Sequence, residues 1–293
     1  MEELDKFFNK IKLDFTQEHF DELSRKCYKE DREYPECFGN WYPHIIDFGY
    51  FNHAEIIAHQ VFTWEETETI CKDESFDRVD WNKINEILKP TLDKMKPYKI
   101  YNIKNGCFSN KFDFKTCLVT KEDLAQQLWK INQQSSLFET GGYTELVVRE
   151  YIPFEHKEVP TIYNGMPLRE EVRVFYNLDK KKIEYIVDYW DYDYCYDNIY
   201  DITDKIVFNW FHNKTAGRPE SHKLKLEQIE TTICEKINTL KFDDKLTGIW
   251  SIDFMWHDNK LYLIDMARGF RSAYWNIDKL SDETKEEIKN ENK

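Results

Sequence analysis

The sequence predicts an α+β protein of two closely associated domains, with a largely helical N-terminal region. Three observations carry that expectation. The chain has 293 residues, 41% hydrophobic and 16% aromatic, ample to bury a core and too long for one small module. Apolar residues recur at helical spacing through the first third, then at strand spacing from residue 98. From there the elements follow as strand, loop, helix, strand, hairpin, helix, hairpin, with no internal repeat.

Taken in order, Phe7, Phe8, Ile11, Leu13 and Phe15, then Phe20 and Leu23, recur at near-helical spacing. WNKINEILKPTLDKM (81–95) reads as a second helix, interrupted at Pro90. Between them YPECFGNWYPHIIDFGYFNHAEII is rich in aromatics and turn residues and shows no assignable period. YKIYNIKNG alternates as a strand, and SNKFDF follows as a loop or short strand. Thr120 and Asp123 have capping-box spacing and open the helix DLAQQLWKINQQ. Gly141-Gly142 breaks the chain before the β-prone run ELVVREYIPF. REEVRVFYNLDKKKIEYIVDYW is a hairpin turning near Leu178–Lys181. SHKLKLEQIETTICEKINTL (221–240) is helical, and GIWSIDFMWHDNKLYLIDMARG is a second hairpin turning at His257–Asn259. The final SDETKEEIKNENK reads as a solvated helix end or a frayed tail.

Composition removes several function classes. A net charge of −14 opposes broad nucleic-acid or anionic-membrane binding, since both need counter-charge, though it leaves room for a local basic pocket. No apolar run reaches about 18 residues, and MEELDKFFNK lacks the form of a signal peptide. Seven scattered cysteines with no CxxC pair read as reduced thiols of a cytoplasmic protein. Eight dispersed histidines without HExxH make a zinc site improbable. There is no GxxxxGK[ST], GxGxxG or GxSxG.

The residues with chemical potential are charged groups in β-prone runs. Asp253 and Asp265 fall roughly opposite each other on the arms of the last hairpin, where same-face neighbours sit about 5 Å apart. Two carboxylates that close repel unless a cation or proton intervenes, and magnesium suits such a pair. The alternative is one aspartate exposed at a strand edge and the other capping a turn. Glu171 and Arg173 share a strand face, either as a structural ion pair or with the arginine aimed at phosphate oxygens. Lys104 before Asn105-Gly106 is either a surface lysine or a phosphate contact, and Ser109-Asn110-Lys111 has the makings of a phosphate-covering loop. Arg149 and Glu150 interrupt an apolar strand and need partners. DYWDYDYCYDNIYD (188–201) is a solvated tyrosine-rich face or a subsite for a cationic group.

The order of these pieces resembles the ATP-grasp superfamily: Lys104 in a strand before a loop, a helix, ELVVREYI, EEVRVFY, then SIDFMWHDNKLYLIDMARG. The nearest likeness is to its two-Arg-one-Lys clade, which includes the cell-division-cycle-123 family. That family carries Cys-x-x-Trp-Tyr-Pro, matched here by Cys37 to Pro43 with one extra residue before Trp41. It also carries a hinge strand, a Glu-Phe-Arg-x-Phe strand and a Leu-Ile-Asp-Phe-Asn-Pro hairpin. The resemblance spans about residues 35–275.

The resemblance implies an ATP-grasp fold, two α+β lobes clamping ATP and Mg²⁺. The N-terminal region would be 1–97, a small nucleotide-covering lobe 98–148, and a C-terminal lobe with the metal-binding hairpin 149–293. Lys104 and Lys111 would meet the phosphates, and Glu150, Tyr151 and Ile152 would form the adenine hinge. Arg149 and Arg173 would be the clade's two arginines, and Asp253 and Asp265 the metal ligands. The family's metal-binding asparagine falls at Ala267, so water would take that place, Arg268 would supply phosphate charge instead, or metal binding would be impaired. Arg173 and Arg268 are then the expected catalytic cations. Two activities follow from the likeness. One is an ADP-forming carboxylate–amine ligase working through an acyl phosphate on a carboxylate or amine substrate. The other is an ATP-binding assembly chaperone with a protein client, as the cell-division-cycle-123 family is for eukaryotic initiation factor 2.

Overall fold

The computed structural model describes residues 17–71, 75–153, 159–213 and 219–291. The helical reading of Phe7 to Phe15 lies outside these. The strands, in chain order, are β1 (Ile45–Asp47), β2 (Asn52–His53), β3 (Ile56–Val61), β4 (Tyr101–Asn105), β5 (Leu118–Val119), β6 (Glu145–Glu150) and β7 (Thr161–Ile162). There follow β8 (Met166–Pro167), β9 (Glu171–Asn177), β10 (Lys182–Asp188), β11 (Lys241–Phe242), β12 (Ile249–His257) and β13 (Lys260–Arg268). They build a four-stranded sheet in the order β3-β6-β4-β5 and a five-stranded sheet in the order β10-β9-β12-β13-β2, plus the small pairs β1-β11 and β7-β8. With its several sheets and flanking helices the chain is α+β.

The small sheet is antiparallel throughout. On β4 the strand period of two works as the sequence suggests. Tyr101 and Ile103 enter a core with Ile84, Leu88, Leu124, Leu128 and Ile131, contributed by the helices Trp81–Leu92 and Leu124–Leu137. Asn102 and Lys104 alternate onto the opposite face, yet they are buried too, because the large sheet's lobe covers that side.

The large sheet buries one face against the helix Pro219–Lys236, whose Ile229 and Ile233 are fully enclosed with Val172, Val174, Ile252 and Phe254. Its strands are antiparallel except that β2 joins β13 in parallel. The final hairpin turns at Asp258 and Asn259, both at positive φ (48° and 55°), the twist a two-residue turn needs and one these residue types tolerate. A bulge at Ile264 leaves that residue unpaired between the Asp253–Asp265 and Phe254–Leu263 pairs.

Two readings are corrected. The stretch 34–57, which shows no assignable period in sequence, supplies β2 to the edge of the large sheet and the first residues of β3 to the edge of the small one. β2 has two residues, too few for alternation to show, and the stretch holds only the first two of the six residues of β3. Pro90 does not end its helix, which runs from Trp81 to Leu92. Ile84, Leu88 and Thr91 are buried along it, and Gln60 Nε2 donates to the Ile87 carbonyl at 2.7 Å. Core packing outweighs the lost backbone bond.

The helix expected after the capping box begins at Leu124, one residue beyond Asp123, whose carboxylate accepts the Thr120 N–H at 2.6 Å. Two of the five aspartates in the run 188–201 cap helices: Asp191 accepts from the Tyr194 N–H and Asp201 from those of Thr203 and Asp204. The C-terminal stretch forms a helix, Asp282–Glu291. Among the described residues no helix is long and apolar enough to cross a membrane.

Candidate functional site

The polar faces of β4 and β6 look across a cleft at β9, β12 and β13. The groups on these strands reach it by strand alternation. Asn102 and Lys104 project from β4 and Arg149 from the end of β6, with Asn102 and Arg149 directly paired across the two strands. Arg173 on β9 pairs with Asp253 on β12, and Asp253 with Asp265 on β13, so three charged residues stand in one row across the sheet. The expected juxtaposition of the two aspartates is present.

Each aspartate faces its own cation. Arg173 Nε and Nη2 donate to the two Asp253 oxygens, both at 2.7 Å, a bidentate pair buried at both ends. Lys104 Nζ donates to both Asp265 oxygens at 2.9 and 3.0 Å. Arg149 Nε donates to Asn102 Oδ1 at 2.8 Å, and its Nη1 to the Ile264 carbonyl at 2.6 Å. The bulge therefore serves the site, since it turns a backbone carbonyl toward the guanidinium while Asp265 faces Lys104. Lys111 donates to the Tyr189 hydroxyl at 2.7 Å, and Arg173 lies 5.1 Å over that same ring.

Glu150, Tyr151 and Ile152 form one rim of the cleft, with Lys111, Arg149, Asp253 and Asp265 among its other walls. Glu150 turns its carboxylate to Lys99 at 2.8 Å. Two expectations are corrected. Arg173 pairs with Asp253 and not with its strand neighbour Glu171. Arg268 shares no wall of the cleft; it falls on the other face of β13, 5.7 Å over the core residue Trp250. Asp265 and Arg268 are three apart, and period two sends them to opposite sides. Ala267 lies on the cleft face opposite Ser251, whose hydroxyl bonds the Ser272 hydroxyl at 2.5 Å.

Arg169 was not anticipated. Buried at the cleft wall, it donates from Nη2 to the Ile152 carbonyl at 2.8 Å and so steadies the rim. The signal was present, because Arg169, Glu171 and Arg173 alternate and must share a face. Glu170 beside them makes the start of the run look like a polar loop.

Burial and charge set the protonation states. Burial pushes the Glu171 carboxyl up to about 8 despite Arg169, with Asp253 adding in the same direction. Burial would also raise Asp265, but Lys104 and Arg149 overrule it and hold that carboxyl below its ordinary range. Arg149 is lowered by burial. Arg173 is raised, because its contact with Asp253 outweighs burial. The cleft thus has three cations in its wall (Lys111, Arg149, Arg169) and two more, Lys104 and Arg173, bonded to its aspartates, against four carboxylates (Glu150, Glu171, Asp253, Asp265), of which Glu150 is held by Lys99 and Glu171 is neutral in much of the population at pH 7. It is a positive pocket in a protein of net charge −14.

No family model matches the chain, and no curated protein sequence does. Among solved structures it is similar to C-terminally truncated Cdc123 from Schizosaccharomyces pombe, with a TM-score of 0.50 and 12% identity over 87% of this chain and 94% of that one. It is also similar to a second structure of Cdc123 from the same organism, with a TM-score of 0.49 and 13% identity over the same shares of the two chains. The first likeness is one of fold and spans most of both chains.

Proposed function

We propose that the cleft binds ATP, and that the chain works as a nucleotide-dependent protein-interaction or assembly factor of the Cdc123 type. The observation that carries the nucleotide reading is the gathering of Lys111, Arg149 and Arg169 on the cleft wall, with Lys104 and Arg173 behind it on Asp265 and Asp253, an excess of positive charge suited to a polyphosphate. The rim 150–152, with Ile152 held by Arg169, supplies backbone groups for a base. The likeness of fold to Cdc123 favours a protein client over the ligase reading.

The donor set suits Mg²⁺ with a phosphate partner. Among the described residues no cluster of three or more His, Cys, Asp or Glu gathers to hold a metal unaided. Asp253 and Asp265 are two oxygen donors side by side on neighbouring strands, the number that magnesium usually takes from protein when phosphates and water complete its shell. The ion would neutralise phosphate charge. Arg173 and Lys104 now occupy both carboxylates, so they and the ion would share the two aspartates.

The free space in the cleft is about 120 Å³, below the roughly 300–1,000 Å³ of typical small-molecule sites. Nucleotide entry therefore requires the sheets to part at the Lys104–Asp265 and Arg149–Ile264 bridges. The test is thermal stabilisation by ATP with and without Mg²⁺, alongside an assay for ADP release. Stabilisation without turnover is the expected result. Steady ADP release on adding carboxylates or amines would return the ligase reading, and no stabilisation would sink the nucleotide assignment.

A further inference from the structure

We propose that Cys37 and Cys107 are a built oxidation site, a thiol pair that a small-molecule disulfide converts to an intramolecular disulfide tying the cleft loop to the N-terminal region. The two Sγ atoms lie 3.1 Å apart although 70 positions separate the residues. Backbone bonds hold both sides of the pair. Phe38 N–H donates to the Gly106 carbonyl at 3.0 Å, and Gly106 N–H to the Gly142 carbonyl at 2.8 Å. The Asn105 side chain accepts from the N–H groups of Cys107 and Phe108 at 3.3 and 2.7 Å.

Two glycines clear the space for the thiols. A Cβ at Gly106 would stand 2.9 Å from Cys37 Sγ, and one at Gly142 would stand 2.3 Å from the Cys107 nitrogen. Gly142 also sits at φ +86°, which side chains rarely adopt. Cys107 lies three residues after Lys104 and two before Ser109, a cleft-lining residue, so the bond would fasten the loop at the cleft mouth.

Cys37 is fully buried and Cys107 half-buried, which sets the order of events. The Cys107 thiolate attacks one sulfur of oxidised glutathione, whose S–S bond breaks and releases one glutathione. Cys37 then attacks the Cys107 sulfur, its proton passing to the sulfur of the departing second glutathione. Two protein thiols are oxidised and one glutathione disulfide is reduced.

The test treats the full chain with oxidised glutathione and reads mass, peptide linkage and melting. The expected product has lost two hydrogens at this pair, links the Cys37 and Cys107 peptides, and melts on the order of 5–10 °C higher, as closing so long a loop implies. Cys37→Ser should leave Cys107 trapped as a mixed disulfide, and Cys107→Ser should leave Cys37 unmodified. The proposal is overturned if glutathione adds only at the exposed Cys27 and Cys234 while Cys37 and Cys107 both remain alkylatable in the unfolded product. These readings involve no nucleotide, so they stand or fall apart from the ATP assignment.

Discussion

Lys104 on the small sheet and Asp265 on the large sheet meet across the cleft, the ammonium 2.9 and 3.0 Å from the two carboxylate oxygens. Lys104 is 1% exposed, so its charge is tolerable only with that partner. Arg149 crosses the same gap to the Ile264 carbonyl. The two sheets are therefore clasped by cations, and on the proposed nucleotide reading a phosphate would compete for them and couple occupancy of the cleft to the spacing of the sheets.

Asp265 has its carboxyl held below the ordinary value of 3.8. A lowered carboxyl contributes stability above its unfolded pKa and loses it as pH falls through the folded one. Asp265→Asn should destabilise the protein at pH 7, and the difference from wild type should shrink toward pH 3. Urea denaturation across that range checks it; a difference independent of pH would show that the ion pair is not the source.

The Arg173–Asp253 pair is buried at both ends. Arg173→Met alone should cost about 3–5 kcal/mol, because it strands a buried carboxylate, while adding Asp253→Leu should recover most of that. A double-mutant cycle in denaturant gives the coupling directly. Additive losses would mean that the two side chains do not depend on each other.

Glu171 behaves in the opposite sense to Asp265. Its carboxyl is raised to about 8, so the folded protein binds a proton there that the unfolded chain releases above its ordinary value of 4.5. Stability from this group is complete below about 4.5 and is lost as pH rises toward 8. Glu171→Gln should therefore gain on wild type as pH climbs from 5 to 8, by at most about 4–5 kcal/mol. A constant gap between the two proteins over that range would contradict the assignment.

Pro90 sits exposed inside a helix that continues past it. Pro90→Ala removes the ring and restores a backbone donor, so the variant should be about 1–3 kcal/mol more stable. Loss of stability would show that the proline's geometry is needed for Thr91 to reach Gln60, a contact of 2.6 Å.

Much of the site was legible because it is carried by strands. Period two fixes which residues share a face, and hairpin pairing fixes Asp253 opposite Asp265. The same rule, applied to Arg268, would have excluded it from the cleft, and applied to Arg169 would have added it. What the sequence could not show was partnership. Whether Arg173 turns to Glu171 or Asp253 depends on β9 lying next to β12, a long-range neighbour relation that leaves no mark on local pattern. β2 and the start of β3, within 34–57, were hidden for a similar reason, since two residues do not establish a period.

The most direct test of the central claim is calorimetric titration of ATP, with and without Mg²⁺, into wild type and Lys104→Met. The account requires Mg²⁺-dependent binding to wild type, weakened at least about tenfold (about 1.4 kcal/mol) when Lys104 is removed from a protein that remains folded by circular dichroism. No binding to wild type, or equal binding to both proteins, would contradict it and leave the five cations as a purely structural clasp.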